Sequence, residues 1–386
     1  AGRVWIGYFR RDHSRLLGYD GKKWFESDFK FSSNFPGYPT RSSTVEKGDS
    51  AWFRAAEGVL HFDGREFQYQ HMQVELYEQT RNITFKPFLA VSPDGRSAVA
   101  AHHMGRFLWQ FYDDGWHKSE LPLDLPDIFL ATAMSDRYTF WYVNACGQLR
   151  CRLLPGSPQI QRFEELVQQL ADDEFYLRER ASTTLLSMGM TIRNLVEEKL
   201  QNQLDPEVED RLTKLQKKLC NPNAPSYIGN LTVTKIGRLE RLGNGRLLFW
   251  AAEVQRREHN LGKGFIVWRV GKDAVTFIPT GENYGNVYEQ QWGVHLVPNS
   301  DRFWSVAQSY LGQSELVDIR KAKVIAKIPW RVCAADHSDR AYIPLRRDGM
   351  ALYSPHLLEA RTILETTSRN VYYRSCCVTA DGLLWA

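Results

Sequence analysis

Hydrophobic and polar positions along the chain change their period once. Up to about Leu153, and again from Gly245 onward, apolar and aromatic residues come in short runs broken by polar turns. Between about Gln159 and Leu219 the spacing is helical instead, and turn signals are sparse. Leu166 and Leu170, then Leu177, Ala181 and Leu185, recur every three to four residues, which places them on single helix faces. Ile192, Leu195, Val196 and Leu200 continue the pattern, and Leu212, Leu215 and Leu219 form the last stripe. Asp172 and Asp173 can cap a helix starting near Glu174, and Gly189 can close a helix C-terminus. Asp205-Pro206-Glu207 combines a side-chain cap, a proline at the first helical position and an acid in the first turn. The expectation is about four amphipathic helices, which must pack on one another or on the β part because single ones are marginal in water.

The flanking segments repeat a unit: an apolar strand, a polar turn, a second strand, then Asp-Gly and an aromatic. Val4-Trp5-Ile6-Gly7 leads to Leu16–Gly21 and Trp24; Ala51-Trp52-Phe53 leads to Gly58–Gly64 and Phe67. Ser97–Ala101 follows Pro93-Asp94-Gly95 and leads to Phe107–Tyr112 and Asp114-Gly115-Trp116. Asp-Gly suits a tight turn, glycine taking the positive backbone angle and aspartate tolerating it. Looser copies follow at Tyr138–Val143, Gly245–Ala251, Phe265–Val270, Asp301–Val306, Arg340–Ile343 and Leu383–Trp385. With Trp5, Trp52, Ala100, Trp141, Trp250, Trp304, Tyr342 and Trp385 as markers, most steps are about 40 to 55 residues, the length of a propeller blade. The step from Trp141 to Trp250 is about 109, and removing an insertion of roughly 62 residues brings it back to about 47. The expected fold is therefore mainly β: a β-propeller of about seven blades, with six to eight open, and an α-helical insertion between blades. Its divisions are N-terminal blades at 1–157, the helical insertion at 158–221 and C-terminal blades at 222–386.

Composition agrees with a β-rich core. Aromatic content is 13% with 12 Trp, and such rings favour packed strands. A formal charge of +4 over 49 basic and 45 acidic residues is nearly balanced, with no basic stripe of the kind nucleic acid requires. The six cysteines form no CxxC pair and flank no histidine at metal-ligand spacing. Buried thiols are the simplest reading; a Cys146–Cys151 bridge across a hairpin is the alternative. The sequence carries no signal peptide and no membrane-spanning run. It opens and closes inside strand-like repeats, which suggests part of a longer polypeptide.

Two resemblances follow from these residues. Asp173, Arg178, Glu179, Ala181, Leu185, Gly189, Leu195 and Leu200, then Pro206-Glu207-Val208, Arg211-Leu212 and Leu215, resemble a HEAT-like helical module, which implies packing and protein contact. Val4–Gly7 with Tyr19-Asp20-Gly21, and Ala51-Trp52 with Gly58–Gly64, resemble the propeller repeat of bacterial two-component regulator sensors. Pro93-Asp94-Gly95-Arg96 resembles the turn of WD40-like blades. These likenesses imply a bacterial sensor or interaction propeller, with an extracytoplasmic, periplasmic setting favoured.

Candidate chemistry is sparse. His102-His103 would point to opposite faces of a strand and could not chelate together. His61 reads as a satisfied polar residue on a strand edge. The Gly-x-Ser-x-Gly elbow of hydrolases is absent, and Leu261-Gly262-Lys263-Gly264 lacks phosphate-loop spacing and reads as a hairpin. The most basic inter-strand loop runs from Gln255 to Lys263. Its Arg256, Arg257, His259 and Lys263 are the candidate partner-binding residues, against the plain alternative of a solvated hairpin tip. No catalytic, cofactor-binding or metal-ligating residue is assigned, and no cofactor is expected. The expected function is a non-catalytic module binding a protein partner or small ligand, not nucleic acid. The alternative is a carbohydrate-active or peptidase-associated propeller enzyme with acids converging in a central funnel.

Overall fold

The computed structural model describes residues 4–9, 14–19, 24–26, 51–55, 58–63, 65–72, 88–101, 107–112, 115–120, 131–144, 147–219, 226–228, 231–242, 246–256, 259–270, 275–280, 293–297, 300–306, 313–330, 332, 334–335, 338–345, 349–364, 377–378 and 384–385. Among them the chain is mainly β, in eight antiparallel sheets whose strand order follows the sequence. The first two sheets are β1 (Val4–Phe9), β2 (Ser14–Tyr19) and β3 (Trp24–Glu26), then β4 (Ala51–Ala55), β5 (Gly58–Phe62) and β6 (Phe67–His71). The third is β7 (Phe88–Val91), β8 (Ala98–Ala101), β9 (Phe107–Tyr112) and β10 (Gly115–Glu120); the fourth is β11 (Ala131–Met134), β12 (Thr139–Val143) and β13 (Leu149–Leu153). The fifth holds β14 (Ser226–Ile228), β15 (Leu231–Arg241), β16 (Arg246–Arg256), β17 (His259–Arg269) and β18 (Val275–Pro279). The sixth is β19 (Gly293–Leu296), β20 (Arg302–Val306), β21 (Ser314–Asp318) and β22 (Lys323–Ile328). The seventh is β23 (Ala334–Ala335), β24 (Ala341–Leu345), β25 (Gly349–Ser354) and β26 (Glu359–Leu364), and β27 (Cys377–Val378) with β28 (Leu384–Trp385) is the last. The eight repeat markers fall one to a sheet. The Asp-Gly pairs lie between β2 and β3, β5 and β6, and β9 and β10; Asp20, Gly21, Gly64 and Asp114 are outside the described residues.

Side chains alternate across a strand, and here each alternation points to a neighbouring sheet. In β8, Ala98 and Ala100 pack with Trp52, Val59 and Phe111, while Val99 and Ala101 pack with Met134, Phe140 and Tyr142 of the next sheet. In β12, Phe140 and Tyr142 face back, and Trp141 and Val143 face forward onto Leu239, Phe249 and Trp268. In β16, Leu247, Phe249 and Ala251 face back, and Leu248, Trp250 and Ala252 face forward onto Phe303 and Val317. Trp304 and Leu316 then meet Ala341, Ile343 and Tyr353. Six successive sheets are thus stacked face on face in chain order. Their first strands touch as well: β7 with β11, β19 with β23 and β23 with β27, while β11 meets β15. This is the packing of blades in a β-propeller.

Buried tryptophans fasten the stack. Trp52 Nε1 donates to the Gly95 carbonyl in the first turn of the next sheet, at 3.0 Å. Trp304 Nε1 donates likewise to the Asp339 carbonyl at 3.0 Å. Trp141 turns back on its own sheet and donates to Ser135 Oγ at 3.0 Å.

Between β13 and β14 lie α1 (Pro158–Gln169), α2 (Phe175–Met188), a 3₁₀ turn (Gly189–Ile192), α3 (Arg193–Lys199) and α4 (Pro206–Leu219). Asp205 Oδ1 accepts from the Glu207 amide at 2.9 Å, as the cap reading requires. At α2 the expectation needs correcting: the helix begins at Phe175 with Glu174 in the cap position, whose side chain does not cap. Asp172 binds the Glu174 amide instead, one residue outside the helix. Gly189 closes α2 with φ 61. The helices share a core of their own, centred on Phe163, Leu166, Ala181, Leu185, Ile192, Val196 and Leu212. They also serve the β part. The fourth sheet has three strands, and the helical segment begins where a fourth would come. Asn194 Nδ2 donates to the Cys151 carbonyl on β13 at 2.8 Å, Arg152 and Glu198 lie 3.6 Å apart, and Met190 packs on the core beside β13. The outer edge of β13 is therefore covered, as an exposed edge strand usually must be.

Trp304→Phe keeps the ring and removes the donor to Asp339, which should cost about 1–2 kcal/mol. Trp304→Ala also opens a cavity between two sheets and should cost about 3–5 kcal/mol. Urea unfolding of the two variants measures the difference.

Candidate functional site

The hairpin singled out by its cations is built by unusually long strands. β15, β16 and β17 each run eleven residues, whereas β18 pairs only with Gly264–Trp268. Residues 252–256 and 259–263 therefore continue past the end of β18. Two irregularities in the β16–β17 register, between Ala251 and Gln255, accompany this extension. Gly264 is where β17 presses on β18: a β-carbon there would stand 2.4 Å from the Ile278 carbonyl oxygen. Gly262 has φ 80, and its amide donates to Asn260 Oδ1 at 2.9 Å. The Leu261–Gly264 stretch, expected in a hairpin, lies within β17, the second strand of the β16–β17 pair. Val254 and Leu261 pack into the core between the fourth and fifth sheets, leaving Gln255, Arg256, His259, Asn260 and Lys263 in water.

Arg256 and His259 are direct cross-strand partners at the end of this ribbon. Lys263 is exposed four residues beyond His259, and its carbonyl accepts from the Thr280 amide at 3.1 Å. Arg257 lies outside the described residues. Glu253, on the same ribbon, accepts from Thr234 Oγ1 at 2.7 Å. The hairpin thus places Arg256 and His259 at its tip and Lys263 at its base, all three exposed, with a carboxylate on the same ribbon.

A second set of charged residues, not anticipated from sequence, joins the sixth sheet to its neighbours. Arg246, opening β16, pairs with Asp301 just before β20, and Arg320 reaches the other Asp301 oxygen at 2.7 Å. Arg302, opening β20, pairs with Asp339 before β24 and with Asp318 at 3.2 Å. His356 Nε2 lies 3.5 Å from the same Asp339 carboxylate. The guanidinium groups of Arg246 and Arg320 hold the Asp301 carboxyl below its ordinary range. At Asp318 burial pushes the other way and is outweighed by the Lys321 amide and Arg302, so that its carboxyl is lowered too. A signal was present: Asp136-Arg137, Asp301-Arg302 and Asp339-Arg340 each precede a marker strand. What the dipeptide alone does not tell is that the Arg of one sheet meets the Asp of the next.

The remaining candidates disperse. His61 sits on β5, the middle strand of its sheet and not an edge, and stacks on Trp52 at 3.7 Å. His117 stacks on Tyr112 at 4.0 Å, and His102 and His103 are outside the described residues. Among the described residues, no group of three or more His, Cys, Asp or Glu could hold a metal ion. Cys151 is a free buried thiol, pushed well up by burial and by the Asp136 charge; its alternative partner Cys146 is outside the described residues. No helix among the described residues is long and apolar enough to cross a membrane.

No protein-family model matches this chain, and no curated protein matches it. Among solved structures it is similar to the C-terminal WD40 domain of Sif2, at 11% identity over 98% of this chain and 87% of that one, with a TM-score of 0.49. It is similar to YCF48 from Cyanidioschyzon merolae, at 12% identity over 86% and 88% of the two chains and a TM-score of 0.43. The RRP9 WD40 repeats stand at 9% identity, 86% and 82% coverage and a TM-score of 0.43. With scores below one half, these likenesses stand beside the sheet packing and add nothing to it.

The lowered carboxyls of Asp301 and Asp318 set the sign of an acid effect. Their stabilisation is complete above the ordinary carboxylate range and is lost as pH falls through the lowered folded values. Asp301→Asn should lower the thermal midpoint at neutral pH and flatten its decline with acid. Scans of wild type and variant between about pH 2 and pH 7 measure both slopes.

Proposed function

We propose that the chain is a non-catalytic binding module, a closed propeller of about seven blades that engages a protein partner or small ligand. In this reading residues 1–157 and 222–386 form one ring, the sheets holding Trp5 and Trp385 combining as a single blade. Residues 158–221 are a HEAT-like insertion held against the edge of β13. The observation that carries the functional reading is the ribbon beyond β18. Three long strands maintain it, and it presents Arg256, His259 and Lys263 to solvent. Function in propellers is grafted on such projections from a rigid frame. The cations suit an acidic partner.

The partner is sought by affinity capture with the full chain, and the captured protein is then purified and titrated directly. Arg256→Glu with Lys263→Glu should weaken that binary complex by about ten- to a hundredfold, the cost of reversing two contacts of about 1 kcal/mol or more each. Unchanged affinity, with unchanged circular dichroism, would remove the hairpin from the interface. The insertion is tested separately by replacing residues 158–219 with a short linker. The shortened chain should keep a β-sheet spectrum but unfold at a lower temperature, because Asn194 and Met190 no longer cover β13.

A further inference from the structure

Two turns in neighbouring sheets each end on a left-handed residue and differ in what they show to water. Ile319–Ala322 joins β21 to β22, and Pro355–Leu358 joins β25 to β26. Each closes on a non-glycine residue in the left-handed region, Ala322 at φ 50 and Leu358 at φ 55. That region disfavours any residue with a β-carbon, and glycine or asparagine relieves it. Leu358 is nevertheless 78% exposed, and Leu357 beside it 69%. A single exposed leucine is ordinary. Two adjacent ones on a strained turn break two local rules together, and such departures concentrate at functional sites.

The cationic turn stands alongside. The sixth and seventh sheets pack face to face, and the ion pairs already described stitch their turns together. Arg320 is held by Asp301; Arg302 bridges Asp318 and Asp339; His356, within the leucine turn, approaches Asp339. Arg320, Lys321, Lys323 and Arg361 are exposed around this edge, with Glu359 the exposed carboxylate beside the leucines. The surface is an exposed apolar point among exposed cations.

We propose that these paired turns are a docking surface for an acidic protein segment that receives Leu357 and Leu358 in an apolar recess. This rests on the reading of the chain as a binding module and assigns it a surface apart from the hairpin. Charge complementarity selects the acidic partner. An apolar centre ringed by charge suits a protein, whose interfaces pair an apolar core with a polar rim. A bilayer fits less well: two leucines offer less apolar surface than one myristoyl chain, which by itself binds only marginally.

The probe is a phage-displayed random-peptide library, selected on the full chain and counter-selected on its Leu357→Asn, Leu358→Gly double variant. Enriched peptides should combine acidic residues with a large apolar one. The synthetic consensus peptide should bind about tenfold or more weakly to Leu358→Gly and to Lys321→Glu, and equally well to Arg256→Glu. Leu358→Gly should at the same time raise the thermal midpoint, since it relieves the turn; a leucine kept for structure would lower it. The proposal is overturned by an absence of enrichment, a basic consensus, or binding that survives Leu358→Gly. A parallel selection without the counter-selection that yields only peptides lost in Arg256→Glu would overturn it while leaving the binding reading intact. Flotation with phosphatidylcholine vesicles containing about one-third phosphatidylglycerol is the lipid arm; capture of wild type but not Leu358→Gly would assign the turn to a membrane and overturn the protein partner.

Discussion

Each middle strand of the stack has two apolar faces and no face for water. Leu247, Phe249 and Ala251 of β16 are buried against one neighbour while Leu248, Trp250 and Ala252 are buried against the other. Burying one such large side chain contributes about 1.5–3 kcal/mol, so an isolated sheet would forgo that on whichever face it left open. Each sheet therefore requires both its neighbours, and the chain supplies them by repeating the same meander. Small residues set how close they come: Ala98, Ala100 and Ala101 leave room for Trp52 and Phe140 on the facing sheets. The indole donors of Trp52 and Trp304 tie their own sheets to the next, because a fully buried N–H must find an acceptor and here it is a turn carbonyl one sheet on.

The same requirement explains the helices. A three-stranded sheet in this stack has its faces covered but leaves β13 as an edge, and the helical segment answers that with one side-chain amide and one methionine. Its own core is otherwise separate. An element that folds largely on itself and touches the stack along one strand can change length and sequence without disturbing the sheets.

How much of this was legible depended on the range of the interaction. Period was local, so strands, helices and the break at about residue 158 could be read from the spacing of Leu166, Leu185 and Leu212 against that of Trp141 and Val143. Helix starts were legible where one residue decides them, as at Asp205-Pro206, and less so at Asp172–Glu174, where three acids compete for one amide. The hairpin was found because its cations are contiguous. The Arg246–Asp301 and Arg302–Asp339 ties were not, since their partners lie 55 and 37 residues apart and pair only once the sheets are stacked. His61 was misplaced for the same reason: a histidine beside a turn aspartate reads as an edge residue until the third strand, β6, pairs on its far side.

Long-range ties of this kind also decide where the molecule can afford irregularity. At the sixth and seventh sheets, Arg302 has two carboxylates, and one of them, Asp339, also gives its carbonyl to Trp304 and faces His356. The backbone of Asp339 is itself left-handed, at φ 64. Strain at Asp339 is compensated by what that residue holds: an indole, a guanidinium and an imidazole converge on it. Leu358 shows no such compensation among the described residues, its side chain lying largely in water. Two strained residues in the same sheet thus stand in opposite positions, one repaid by internal contacts and the other not. An occupant from outside the fold is the compensation proposed for the second.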